Sequence, residues 1–344
     1  MKFREDPHHN NEHKTRYLEG FRSLIAAREE ELKVARKENC ADIFENIEAH
    51  RKAYKDMLGW PLNADLPRPT PAFEIIEELG DEGEYTMLRV RIEVMEGLWL
   101  TGLYLRLNTT ERRPLVIAQH GGDGTAELIT GFYFDGSSVN YNNMVTGLMP
   151  LRVHIFMPSL LLWDEKFYHV RYNRVAIDAR LKRLGGSVTA LEVYAITRII
   201  DYFEATLNPT AFGMVGLSYG GHYTLFTAAA EPRIKSAISS SFFSQRRYYA
   251  WPDWTWQNAA ALYDDPEIAC LCYPRRLCIE MGDRDELFEA GHTLTAAEEV
   301  RDYCSQAGID PDAWFDCLMF DGTHEYGTMI EPMERLVKDL EAEG

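Results

Sequence analysis

The chain has 344 residues, of which 46% are hydrophobic and 26% are charged, and its formal net charge at pH 7 is −18. This composition is typical of a folded globular protein and argues against a disordered or fibrous chain. A net charge of this sign repels phosphate backbones and anionic lipid surfaces, and no segregated block of lysines and arginines offsets it. We therefore expect neither nucleic acid nor a membrane as a partner.

The start of the chain and its cysteines bear on where the protein works. The first residues lack the apolar stretch of about 7–15 residues that a secretory signal needs, and no segment offers the roughly 20 apolar residues of a membrane-spanning helix. The six cysteines are too sparse for a disulfide scaffold. Cys270, Cys272 and Cys278 lie close together but lack the second cysteine or histidine pair of a zinc site. We expect a cytoplasmic protein with reduced thiols and with no metal or cofactor.

Residues 1–65 are predicted to form a helical extension. Between residues 14 and 38, apolar side chains recur at helical spacing while charged residues fill the other face, which indicates an amphipathic helix. A second helix is predicted from about residue 43 to Gly59-Trp60-Pro61, because Gly and Pro both favour helix termination. The apolar face needs a partner surface. We expect these helices either to form a lid or to join copies of the chain in a homo-oligomer.

A proline-rich linker, residues 66–71, separates this extension from a second domain at residues 72–344. Segments 73–78, 85–95 and 98–107 are rich in β-forming residues, and the last two are joined as a hairpin at Glu96-Gly97. Short apolar runs alternating with helices then indicate a parallel sheet that is buried on both faces. These runs are residues 114–119, 153–157, 211–215, 234–239, 276–281 and 313–320. The predicted fold is α/β, a mostly parallel doubly wound sheet that opens with an antiparallel hairpin.

The segment Gly216-Leu217-Ser218-Tyr219-Gly220 follows one of these apolar runs and leads directly into a helical stretch. A serine in this strand–turn–helix context lies on a sharp turn, and the small flanking glycines let the strand and the helix approach each other. The helix also points its N-terminal amides toward negative charge that develops beside the serine. The pattern predicts that Ser218 is a catalytic nucleophile.

A neutral serine needs a histidine base and a carboxylate that orients the histidine. The run 276–281 leads into a loop that offers three candidate acids, Glu280, Asp283 and Asp285. The last apolar run leads into a loop that contains His324, which is the predicted base. These residues follow the serine in the chain order Ser, acid, His.

An oxyanion site needs two hydrogen-bond donors held in place before the reaction. One is expected from the amide of Tyr219, directly after the nucleophile, and the second from the loop after residues 114–119. There, Gly121, Gly122 or Asp123 could supply an amide. The loop lacks the Gly-Lys-Ser/Thr ending of a phosphate-binding loop, which argues against nucleotide binding.

Taken together, these motifs resemble the α/β-hydrolase superfamily, and most closely its branch of dienelactone hydrolases, acetyl xylan esterases and cephalosporin C deacetylases. The resemblance covers roughly residues 73–334 and implies an α/β-hydrolase fold. It places the family's serine, acid and histidine at Ser218, Asp285 and His324, and the oxyanion loop at His120-Gly121-Gly122. A long segment, residues 131–151, and the N-terminal helices depart from the minimal fold and could reshape the substrate entrance.

Aromatic residues cluster where a substrate pocket is expected. Tyr249, Trp251 and Trp254 follow the strand after the nucleophile helix, and Trp163 follows an earlier strand at the same expected edge of the sheet. Aromatic faces suit sugar rings or apolar acyl groups. We assign these four residues to substrate binding, with packing against the sheet as the alternative.

The predicted function is hydrolysis of carboxylic esters, including acetyl esters of carbohydrates or small molecules, through a Ser-His-Asp triad and an acyl-enzyme. Two alternatives stay open. The first is a serine peptidase of the same superfamily, and the second is a non-catalytic binding protein on the hydrolase scaffold.

Overall fold

One sheet crosses the part of the chain that the computed structural model describes, which is residues 6–132, 139–163, 172–249 and 251–342. The described strands are β1 (Phe73–Glu82), β2 (Tyr85–Met95), β3 (Leu98–Leu107), β4 (Leu115–Gln119), β5 (His154–Pro158), β6 (Phe212–Leu217), β7 (Ile234–Ser240), β8 (Arg276–Gly282) and β9 (Phe315–Phe320). Their order in the sheet is β1-β2-β3-β5-β4-β6-β7-β8-β9. Pairing is antiparallel from β1 through β3 to β5 and parallel between all later neighbours.

The antiparallel hairpin forms where the sequence predicts it. Met95 pairs with Leu98, and Gly97 between them has a φ of +75°, a conformation that glycine adopts without steric cost. Residues of β2 alternate between buried and half-buried, as expected for a strand with one face toward the core. In contrast, every residue of β4, β5 and β6 is buried, as expected for strands covered on both faces.

The helices lie in layers on the two faces of the sheet. They are α1 (Asn11–Asn39), α2 (Ile47–Leu58), α3 (Arg174–Arg183), α4 (Val188–Thr206), α5 (Tyr219–Ala230), α6 (Ala259–Leu262), α7 (Asp265–Cys270), α8 (Ala290–Ala307) and α9 (Glu331–Ala342). Leu115 and Ile117 of β4 belong to a core that includes α2, α4, α5 and α8. The alternate residues Val116 and Ala118 belong to a second core with α9 and part of residues 126–151.

Among the described residues, the polar contacts of helix α1 with other elements run from Glu30 toward its C-terminal end. There Arg36 donates to the carbonyl of Ala260 at 2.7 Å, and Lys33 pairs with Glu299 at 2.8 Å. The apolar residues nearer its N-terminus are exposed in the described part of the chain, Tyr17 at 70%. The use of this face as an oligomer contact or a lid stays a prediction, as do the domain boundaries and the cytoplasmic location. No described helix combines the length and the apolarity that crossing a membrane would take.

Candidate active site

Ser218 stands in the turn between the end of β6 and the first residue of α5. Its backbone has φ +59° and ψ −117°, a conformation that residues with a side chain adopt only when the surroundings impose it. The Ser218 amide donates to the carbonyl of Ser240 at the end of β7, at 2.9 Å. A Cβ atom on Gly216 would overlap the carbonyl of Gly220, and one on Gly220 would overlap the carbonyl of Gln119. Both glycines are therefore required by the close approach of β4, β6 and α5.

His324 and Asp285 are in direct contact. His324 lies in the loop after β9, and its Nδ1 donates to Asp285 Oδ2, in the loop after β8, at 2.8 Å. The Asp285 side chain is buried, and its other oxygen accepts the amides of Leu287 and Phe288 at 2.8 and 2.9 Å. The Phe288 ring stacks against the imidazole, with 5.7 Å between ring centroids. Because Nδ1 is engaged by the carboxylate, Nε2 is the nitrogen left for a substrate or a nucleophile.

The other two candidate acids have different partners. Glu280 is buried within β8, and its Oε2 accepts the Ser240 hydroxyl at 2.5 Å. Burial raises the pKa of Glu280 to about 7, although the hydrogen bonds from Ser240 and Gly327 act in the opposite direction. Asp283 is half-exposed, and its Oδ1 accepts the Gly322 amide and the Arg284 guanidinium, each at 3.1 Å. Among the three carboxylates, Asp285 is the one that contacts His324.

The sheet brings the histidine loop to the edge that carries Ser218. β6, β7, β8 and β9 are parallel neighbours, so the segments that follow them emerge at one edge. Ser241, just after β7, donates its hydroxyl to the carbonyl of Glu325 at 2.9 Å, next to His324. Within the described residues, Ser218 and His324 are not hydrogen-bonded to each other, and catalytic contacts of this kind often tighten only when substrate binds.

The glycine loop after β4 packs directly against the nucleophile. A Cβ atom added to Gly121 would lie 3.4 Å from Ser218 Cβ. The Gly121 amide donates to the hydroxyl of Tyr141 at 2.9 Å, which leaves Gly122 and Asp123 as the predicted amides of this loop. His120 stabilises the loop, since its Nε2 accepts the Leu160 amide at 3.1 Å. Burial lowers the pKa of His120 to about 4, although its hydrogen bond to Gly121 raises it, so the ring is neutral at pH 7.

Tyr219, the residue after the nucleophile, is fixed by a buried polar network. Its hydroxyl donates to Asp253 Oδ2 at 2.8 Å and accepts the Trp163 indole N–H at 3.1 Å. The same Asp253 oxygen accepts Arg174 Nε at 2.7 Å, and a second carboxylate, Glu192, accepts Arg174 Nη2 at 3.0 Å. These contacts hold the first turn of α5, and with it the amide of Tyr219, in one orientation.

The four aromatic residues assigned to substrate binding have different exposures. Trp163 is 43% exposed, and a Cβ on Gly122 would come within 2.9 Å of its ring, so the ring covers the glycine loop. Trp251 is half-buried, with 5.1 Å between its ring centroid and that of Trp163. Tyr249 is also half-buried, and its hydroxyl accepts the Glu289 amide at 2.8 Å. Trp254 is fully buried and stacks on Trp251 and His222, which favours the packing alternative for this residue.

The site as built is an acid–histidine pair, a serine on a strained turn and a glycine loop. Within the described residues, no group of three or more histidine, cysteine, aspartate or glutamate side chains is arranged to hold a metal ion. Three residues next to the site were not predicted from the sequence, namely Tyr141, Arg174 and Asp253. They belong to no recognisable motif, because each contacts the site through residues that are distant from it in the sequence.

Solved structures with the same architecture are known. No protein-family model and no curated protein matches the chain. A glucuronoyl esterase from Solibacter usitatus superposes with a TM-score of 0.60 at 13% identity, over 86% of this chain and 91% of that one. Acetyl xylan esterase 1 from a Thermoanaerobacterium species gives 0.54 at 14% identity, over 86% and 93%. A Bacteroides fragilis protein provisionally assigned as an acetyl xylan esterase gives 0.62 at 14% identity, over 81% and 76%.

At these identities the likeness concerns the fold. The chain has the α/β-hydrolase fold, with one strand, β1, added outside the antiparallel hairpin. This confirms the fold that the sequence predicts, including the helical extension at its N-terminus.

Proposed function

We propose that this protein is a serine hydrolase of carboxylic esters that works through an acyl-enzyme. The observation that carries the proposal is the hydrogen bond between Asp285 and His324, at the sheet edge where Ser218 occupies its strained turn. A buried carboxylate that holds one histidine nitrogen leaves the other free to accept a proton. A scaffold without catalytic function would have no need for this arrangement beside a serine held at a strained φ.

In the first half of the proposed reaction, His324 Nε2 takes the proton of the Ser218 hydroxyl while the serine oxygen attacks the ester carbonyl carbon. The bond between them forms as the carbonyl π electrons move onto oxygen, which becomes an oxyanion. Asp285 stabilises the imidazolium that results. When the tetrahedral intermediate collapses, the carbon–oxygen bond to the alcohol breaks, and the imidazolium gives its proton to the leaving oxygen.

In the second half, water replaces the alcohol. His324 takes a proton from the water as its oxygen attacks the acyl carbon, and the second tetrahedral intermediate releases the Ser218 oxygen with that proton. The products are a carboxylic acid and the regenerated enzyme. Donors at the oxyanion, with the Tyr219 amide as one of them, stabilise both intermediates.

The substrates we propose are esters of small molecules or carbohydrates, acetyl esters among them. The proposal draws on the names of the structural neighbours, which include acetyl xylan esterase and glucuronoyl esterase. It also draws on the exposed ring of Trp163, which covers the glycine loop beside Ser218 and offers an apolar face of the kind that sugar rings stack on.

The test is turnover of p-nitrophenyl acetate and of acetylated sugars by the purified chain. We expect release of p-nitrophenol and of acetate that Ser218→Ala abolishes. The matched control is Ser305→Ala on the exposed face of α8, which should match the wild type. A folded wild-type protein that cleaves neither substrate would contradict the proposal and favour a peptidase or a binding protein.

A further inference from the structure

The hydroxyl of Tyr141 contacts the glycine loop that packs against Ser218, although the residue comes from a segment outside the minimal fold. Tyr141 ends a short 3-10 turn, Val139–Tyr141, in the segment between β4 and β5. Its hydroxyl accepts the Gly121 amide at 2.9 Å. A Cβ atom on Gly121 would lie 3.4 Å from this hydroxyl and 3.4 Å from Ser218 Cβ. The phenol and the nucleophile therefore flank the same point of the glycine loop.

The backbone around Tyr141 is bound to the histidine loop. The carbonyl of Asn140 accepts the Tyr326 amide at 2.8 Å. On the other side of the tyrosine, Asn142 Nδ2 donates to the Tyr326 carbonyl at 2.6 Å and to Glu325 Oε2 at 2.8 Å. Tyr141 is thus held between the glycine loop and the loop that carries His324. A donor fixed in this way needs no reorganisation when charge develops in the reaction.

The hydroxyl of Tyr141 keeps its proton at pH 7. Burial is the largest effect on the pKa of Tyr141 and raises it, and the charge of Asp123 also raises it. The hydrogen bond from Gly121 lowers the pKa by less, so the phenol is neutral at pH 7. A neutral hydroxyl that accepts one hydrogen bond still donates one of its own. Among the described residues, no acceptor takes that proton. The Gly121 amide, by contrast, is already used by the phenol.

We propose that Tyr141 is a catalytic residue whose hydroxyl donates a hydrogen bond to the oxyanion, in the place that the sequence analysis gives to the Gly121 amide. The inference rests on the proposed function, because it needs an oxyanion formed at Ser218. The Gly121 amide then acts through the phenol, since its hydrogen bond polarises the hydroxyl and strengthens its donation. The Tyr219 amide is the second donor.

The test compares Tyr141→Phe with Tyr85→Phe. Tyr85 is a matched control, because it is buried in the same core and its hydroxyl donates to the Met149 carbonyl of the same segment, at 2.9 Å. Each variant removes one buried hydroxyl that holds this segment, but only Tyr141 faces the glycine loop. Two quantities are measured, namely kcat and KM for p-nitrophenyl acetate and the inhibition constant of an aryl trifluoromethyl ketone, whose adduct with a serine carries an oxyanion.

We expect Tyr141→Phe to lower kcat about 100-fold with little change in KM, and to weaken the trifluoromethyl ketone by a similar factor. This is the lower end of the effect of one oxyanion donor, because the substitution releases the Gly121 N–H. Tyr85→Phe should stay within about twofold of the wild type. Gly124→Ala should also lower kcat, because its Cβ would overlap the Tyr141 hydroxyl and displace it.

Two results would overturn the inference. One is a Tyr141→Phe variant that keeps wild-type kcat and inhibitor affinity, and the other is an equal loss in both phenylalanine variants, which would show that the hydroxyl only supports the segment. In either case an active, Ser218-dependent wild type leaves the proposed esterase function standing. A wild type without any Ser218-dependent turnover would refute that function, and the inference with it.

Discussion

Replacing Glu280 by glutamine should change how the stability of the protein depends on pH. Glu280 lies near the C-terminal end of β8 and is fully buried, with the Ser240 hydroxyl at 2.5 Å from one carboxylate oxygen. Its second oxygen has no partner among the described residues. Burial therefore outweighs the hydrogen bonds and raises the pKa of this carboxyl to about 7.

The sign follows from comparing the folded and the unfolded chain. An unfolded glutamate has a pKa of about 4.3, so the folded protein holds this proton more tightly. The stabilisation is fully present below about pH 4 and is lost as the pH rises through about 7. Between pH 5 and pH 8 this one group should remove about 2–3 kcal/mol from the free energy of unfolding. Glutamine does not titrate and removes this contribution.

The assay is urea unfolding of the wild type and of Glu280→Gln at pH 5 and pH 8. The free energy of unfolding should fall by about 2–3 kcal/mol more in the wild type than in the variant, because all other groups titrate equally in both. Glu298→Gln, at an exposed position of α8, is the control and should behave as the wild type. Equal pH dependence in the wild type and Glu280→Gln would refute the reasoning, since Glu280 would then titrate as if it were solvated.

Two further predictions concern the acid that orients His324 and the turn at Ser218. Asp285→Asn should lower kcat by about 10⁴-fold in steady-state assays, because the histidine loses its orienting charge. Asp283→Asn should keep kcat within severalfold of the wild type. Equal effects of the two substitutions would contradict the assignment of Asp285 as the acid. Gly220→Ala should cost about 3 kcal/mol or more in urea unfolding, because its Cβ would overlap the Gln119 carbonyl. Gly20→Ala on the exposed helix α1 should instead raise the free energy of unfolding by about 0.5–1 kcal/mol. Similar changes in the free energy of unfolding for both substitutions would contradict the packing argument.

Much of the fold could be predicted because its signals are local. Buried parallel strands require short apolar runs, and each predicted run lies in one of β4 to β9 with small differences at the ends. The turn at Ser218 could be predicted because a side chain at Gly216 or Gly220 would overlap neighbouring backbone atoms, so both positions require glycine. The order of acid and histidine along the chain did not decide between Glu280, Asp283 and Asp285. That choice depends on where each loop turns after β8.

The rest of the site depends on contacts between segments that are distant in sequence. Tyr141 contacts the glycine loop, and its neighbours Asn140 and Asn142 bind the loop after β9. Trp254 is buried, not exposed, because Trp251 and His222 enclose it, and an aromatic cluster in a sequence does not reveal which ring faces solvent. In the same way, the apolar face of α1 resembles a buried face in the sequence but is exposed in the structure.

The central claim is that Ser218 is an activated nucleophile, and stoichiometric labelling with a fluorophosphonate tests it most directly. Intact-mass analysis should show rapid addition of one equivalent to the wild type, and peptide mapping should place it on Ser218. Labelling should be absent in Ser218→Ala and strongly slowed in Asp285→Asn, since the reaction needs a base oriented by the carboxylate. A folded wild-type protein that stays unlabelled, or that reacts no faster than Asp285→Asn, would contradict the account.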